Sequence, residues 1–107
     1  MTLQQLIYFI TLADTLHYTK AAQKLFMSQP SLSRSISELE KELGAPLFEK
    51  DGKHTVLTKY GKKFLPYAQK ALASVENGKN AIEKMLMPSE TINIGYIYSL
   101  SFSVLPR

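Results

Sequence analysis

The chain has 107 residues, no cysteine, and a formal net charge of +4 from 13 Lys and Arg against 9 Asp and Glu. That length bounds it to one small domain with an appendage. The missing cysteine excludes disulfides and any thiolate nucleophile or thiolate metal site, and no apolar run reaches the length that crosses a bilayer. No basic segment followed by an apolar run opens the chain, so a signal peptide is not expected and the cytoplasm is the compatible compartment.

Thr2 and Gln5 have capping-box spacing, and a helix from Leu3 to Thr15 follows. Leu3, Leu6, Ile7, Ile10 and Ala13 form its expected buried face, with Phe9 adding bulk. After a turn over Asp14 to His17, Thr19 is expected to cap a second helix, Lys20 to Leu25, with Tyr18 just before it as a staple. Ala21 and Ala22 leave room for close packing. Lys20 and Lys24 share one face, where they suit either phosphate or plain solvation.

Phe26, Met27 and Ser28 make a tight connection, without the glycine common in such turns, to the next helix. Ser28 is a good N-cap, Pro30 sits harmlessly in the first turn, and Gly44 terminates the helix. Leu32, Ile36, Leu39 and Leu43 recur at spacings of four and three, giving one apolar stripe. Off that stripe lie Gln29, Ser31, Ser33, Arg34 and Ser37. Gln and Arg have the shapes for bidentate contact with adenine and guanine edges, and short serines let a backbone approach. Glu38, Glu40 and Glu42 are confined to the second half, away from the end that would meet phosphates. A solvated face is the competing reading, but Ser is a mediocre helix former and a poor choice for one. Two helices joined by a short turn, the second carrying this face, is the helix-turn-helix pattern.

Phe48 to Lys50 and Thr55 to Leu57 are expected to pair as strands around Asp51-Gly52. Lys50, Lys53 and His54 make this hairpin basic, as a wing lying along a nucleic-acid backbone would be. His54 reads as a phosphate partner and Asp51 as a turn residue. With His17 the only other histidine, no metal site is expected. Thr58 caps the longest helix, roughly Lys59 to Met87, stopped by Pro88, with a bend or break expected at Pro66. Lys59, Lys62 and Lys63 crowd its first turns against the helix dipole, which a nearby phosphate would relieve. Leu65, Ala68, Leu72, Val75, Lys79, Ile82 and Leu86 step by three and four, a heptad seam with one charged interruption. Its first two turns suit the domain's own core. The remainder calls for a partner helix, most simply that of a second copy, and Gly78 would weaken the middle or permit close approach. From Thr91 the character changes: Ile92, Ile94 and Tyr96 alternate as in a strand with nothing to pair, so the chain reads as a fragment cut within a second domain.

The stretches LQQLIYFITLAD, YTKAAQKLFMSQPSLSRSISELEKELGAPLFEK and VLTKYGKKFLPYAQK together resemble the N-terminal DNA-binding domain of LysR-type transcriptional regulators, across residues 1–87. TINIGY resembles the first strand of that family's effector-binding domain. The resemblance implies a mainly α, winged helix-turn-helix fold: a three-helix core and a two-stranded wing (1–58), a long dimerisation linker helix (59–87), then a hinge and first effector-domain strand (88–107). It implies binding to an interrupted palindrome near a promoter as a dimer, tetramers only with the full effector domain, and a small-molecule co-inducer for the intact protein but no cofactor here. By position, Gln29, Pro30, Ser31, Ser33 and Arg34 match major-groove contacts. Thr19 and Lys20 match backbone contacts, with Ser28 and Ser37 counted beside them. Lys50 and Lys53 match the wing, with His54 added, and Asp51 and His54 depart from the basic residues common there. Leu65, Ala68, Leu72, Val75, Ile82 and Leu86 are the expected dimer interface.

The expected function is therefore sequence-specific binding of double-stranded DNA by a bacterial transcriptional regulator. A protein–protein module built on the long helix, pairing with full-length regulators, is the rival. An enzyme is the weakest option, since no Gly-rich phosphate loop, nucleophile–base pair or metal constellation is present in the sequence.

Overall fold

The computed structural model describes residues 1–87. Pro88 as a helix stop, and the hinge and strand read in 88–107, lie outside the described residues.

Helix α1 spans Leu3–Thr15 and opens with the expected capping box. The Thr2 amide donates to Gln5 Oε1 at 3.0 Å, and the Gln5 amide donates to Thr2 Oγ1 at 3.1 Å. Its buried residues are Leu6, Phe9 and Leu12, whereas Leu3 and Ile7 are exposed. The expected face was thus turned away from its true centre. Phe9 sets the rotation: its ring meets Phe48 edge-on at 5.6 Å and Phe64 at 5.4 Å, partners more than thirty residues away that local periodicity does not report.

Leu16 closes α1 in the left-handed region, at φ 53°, and leaves His17 extended. His17, not Thr19, is therefore the cap of α2, Tyr18–Lys24, with Nδ1 accepting the Lys20 amide at 3.2 Å. The α2–α3 turn is a Schellman closure: the Met27 amide donates to the Ala22 carbonyl at 3.0 Å and the Phe26 amide to the Gln23 carbonyl at 3.2 Å. Phe26 takes the left-handed position, φ 55°, that glycine usually fills, and its side chain is 97% exposed. Helix α3, Gln29–Leu43, begins at Ser28, whose Oγ accepts the Ser31 amide at 3.2 Å, and ends at Gly44. Leu32, Ile36 and Leu39 are fully or nearly fully buried, while Leu43 lies at the edge. Each such burial contributes about 1.5–3 kcal/mol, which holds α3 in one rotation and commits the opposite face to solvent.

Strands β1, Phe48–Asp51, and β2, His54–Leu57, pair antiparallel with Phe48 opposite Leu57 and Asp51 opposite His54. The loop is therefore Gly52-Lys53 rather than Asp51-Gly52. Gly52, at φ 65°, holds the first central position, where a type II′ turn needs glycine. Helix α4, Lys59–Leu86, is anchored at Thr58. The Thr58 hydroxyl accepts the Gly61 amide at 3.1 Å and donates to the Pro46 carbonyl, and the Thr58 amide donates to the Leu47 carbonyl at 3.0 Å. The helix runs unbroken through Pro66. The first compact unit spans Met1–Ala73 and the second begins at Ser74. Phe64, Leu65, Ala68, Ala71 and Leu72 all pack on the three-helix core, which makes the first half of α4 part of it.

Candidate nucleic-acid interface

With Leu32, Ile36 and Leu39 turned inward, Gln29, Pro30, Ser31, Ser33, Arg34 and Ser37 are all exposed on the other side of α3. The helix N-terminus supplies partial positive charge to that end, and its first turn holds no acid. Among the described residues Arg34 belongs to no ion pair, so its five donors stay available. Of the acids, Glu42 takes the α-amine of Met1 at 2.6 Å and Glu40 turns inward, leaving Glu38 as the exposed unpaired carboxylate of this helix.

Two hydrogen bonds order the reading residues. The Thr19 hydroxyl donates to Gln29 Oε1 at 3.2 Å, so α2 holds the amide oxygen and its N–H groups have no partner among the described residues. The Ser28 hydroxyl donates to Ser31 Oγ at 2.8 Å while also capping the helix, which ties these two expected contacts to each other. Lys20 is exposed nearby. Lys24 is 3.8 Å from Asp14, both side chains well exposed, a pair too solvated to hold the lysine away from phosphate.

On the hairpin, Lys50 is an exposed strand residue, Lys53 sits in the turn and His54 is an exposed ladder residue beside it. At the start of α4, Lys59 lies 5.2 Å from the Tyr60 ring centroid, and further on Lys70 lies 6.0 Å from that of Tyr67. Among the described residues neither these lysines nor Lys62 and Lys63 have a carboxylate partner. The two tyrosines are exposed and were not singled out by the sequence, whose periodicity marks buried positions rather than surface ones. Tyr18, half-buried, has its phenol pushed above the ordinary value by burial and secondarily by the Glu40 charge. That phenol accordingly stabilises the fold while protonated, a contribution present below about pH 10 and lost as pH rises through its folded value.

The expected dimer residues divide. Ala68 is 1% exposed and lies in the chain's own core, so it is not available to a second helix; Leu65 and Leu72 are half-buried against that core. Val75, Ile82 and Leu86 are 43%, 56% and 78% exposed. Lys79, the charged interruption of the seam, meets Glu76 at 3.9 Å. Among the described residues, no cluster of His, Asp and Glu could hold a metal, and no helix is long and apolar enough to cross a membrane.

Residues 3–62 match the family described as bacterial regulatory helix-turn-helix protein, lysR family. Over 107 residues the chain is 40% identical to an uncharacterised HTH-type transcriptional regulator, YybE, of Bacillus subtilis, covering 99% of this chain and 37% of that protein. It is 39% identical to the HTH-type transcriptional regulator BenM of Acinetobacter baylyi, covering 100% of this chain and 35% of BenM. The chain thus spans little more than a third of the length of these curated relatives. Among solved structures, the complex of BenM_DBD with catB site 1 DNA superposes with a TM-score of 0.79 at 36% identity, over 84% of this chain and 100% of that one.

Proposed function

We propose, because this chain belongs to the lysR family of bacterial regulatory helix-turn-helix proteins, that it reads a dyad-symmetric site in double-stranded DNA as one half of a dimer. The observation that carries the reading is the N-terminal half of α3, where Gln29, Ser33 and Arg34 stand exposed and free of acid partners opposite the buried Leu32, Ile36 and Leu39. Gln29, Pro30, Ser31, Ser33 and Arg34 would enter the major groove. Thr19, Lys20, Ser28 and Ser37 would flank it, with Lys50, Lys53 and His54 on the wing along the backbone. The exposed Val75, Ile82 and Leu86 would meet the same helix of a second copy, since a free helix gains nothing by showing such a stripe to water. The intact regulator would act in the bacterial cytoplasm and answer to a small-molecule co-inducer held outside this chain.

The test is salt-titrated selection of bound duplexes from a genomic library, with sedimentation of the same samples. A dyad-symmetric motif enriched by a dimeric species is the expected result. A well-folded dimer that ignores all duplex DNA at low salt would favour the rival, a protein–protein module built on α4. Lys53→Ala should weaken binding by a similar factor on every sequence and reduce the slope of log K against log salt by about 1, as loss of one phosphate contact requires. An unchanged slope removes Lys53 from the phosphate contacts.

A further inference from the structure

Outside the reading face, α3 carries one charged side chain that is partly withdrawn from solvent. Glu40 is half-buried, and its Oε2 accepts the amides of Leu47, at 2.7 Å, and Phe48, at 3.2 Å. Those amides lead into β1, the first strand of the wing, and both residues are buried. One carboxylate oxygen on the recognition helix therefore holds the base of the hairpin. The same short segment receives α4, since Thr58 bonds to the carbonyls of Pro46 and Leu47. Among the described residues these two are the only polar contacts between α3 and the segment that opens the hairpin. The apolar contacts there can slide by fractions of an ångström, whereas two charge-assisted hydrogen bonds to one oxygen fix distance and direction together.

We propose that Glu40 is a positioning residue for DNA recognition: it sets the wing against the recognition helix so that Lys50 and Lys53 meet the backbone in register with Gln29 and Arg34 in the groove. The proposal rests on the DNA-reading function above. Glu40 touches no DNA in this scheme and acts through the Leu47–Phe48 backbone. Loss of its side chain leaves α3 and its apolar stripe in place, and releases the wing.

The experiment is hydroxyl-radical footprinting, with salt-dependent affinity, of this chain and its Glu40→Ala and Glu40→Gln variants on the selected duplex. Glu40→Ala should keep the protections under α3 and lose those under the wing. Its salt slope should fall by about 2, for two lysines. Adding Lys53→Ala to Glu40→Ala should change little, because the wing has already left the backbone. Glu40→Gln should restore the pattern, since an amide oxygen can accept both backbone amides. If Glu40→Ala does not fold, Glu40→Asp, whose carboxylate is retracted by one methylene, should show the same selective loss. Proportional loss of both sets of protections, full additivity with Lys53→Ala, or a Glu40→Asp variant that behaves as the parent while Glu40→Gln fails would each overturn the proposal. Failure of the parent chain to bind any duplex is a different result and strikes the DNA-reading function itself.

Discussion

Gly61→Ala will destabilise the protein by about 1–3 kcal/mol or more, against the rule that alanine improves a helix. Helix propensity alone favours the change by about 1 kcal/mol. The tertiary structure opposes it more strongly. A methyl at Gly61 would lie 2.3 Å from the Leu47 carbonyl oxygen and 2.7 Å from a Leu57 methyl. The leucine side chain can yield, but the carbonyl cannot: it is held by the Thr58 amide, in a segment also pinned by Glu40. Relief therefore needs a shift of α4 away from the wing base. For a domain of this size the midpoint should fall by about 4–8 °C per kcal/mol. Gly78→Ala is the control on the same helix, because nothing lies within 4 Å of its added methyl. It should raise stability by up to about 1 kcal/mol. Thermal unfolding of the two variants side by side checks the argument, and a Gly61→Ala protein as stable as the parent would show that the joint is looser than described.

Arg34→Ala should lower affinity for the cognate site about 5–150-fold, the equivalent of about 1–3 kcal/mol for a bidentate base contact. Non-specific duplex should lose only what one positive charge supplies. Arg34 is exposed on α3, has no acid partner among the described residues, and lies within the first two turns, the part of a recognition helix that reaches base edges. Arg34→Lys separates charge from shape: it should keep the salt slope and non-specific affinity yet lose most of the discrimination, since lysine lacks the planar fork. Titrations on cognate and scrambled duplexes measure both quantities. Equal losses on the two would make Arg34 a phosphate contact and leave base reading to Gln29 and Ser33.

Much of this surface was legible in the chain because its signals are local. The Thr2–Gln5 box, the Ser28 cap and the Leu32–Ile36–Leu39 stripe each depend on residues within two turns of one another. Placing the stripe inward placed Gln29, Ser33 and Arg34 outward without further information. Where a residue had two local uses, the reading failed. Thr19 looked like a cap, but its hydroxyl is spent on Gln29 while His17 caps α2. Phe26 carried no sign of a left-handed backbone, because the Schellman closure that requires it depends on where α3 must start. Ala68 fitted a heptad seam equally well as core or interface, and only the packing of α4 on the domain shows that it is core.

By itself, then, the sequence determined which segments are helical, which side of α3 is buried, and hence which polar groups face outward. Those outcomes follow from side-chain period and capping, which act over a few residues. The tertiary structure alone decided the rotation of α1 about Phe9, the joining of α3, wing and α4 at Leu47 through Glu40, Thr58 and Gly61, and the division of α4 between core and exposed stripe. Each of these is a choice among locally equivalent arrangements. It is settled by contacts between residues far apart in the chain, where close packing leaves room for one arrangement.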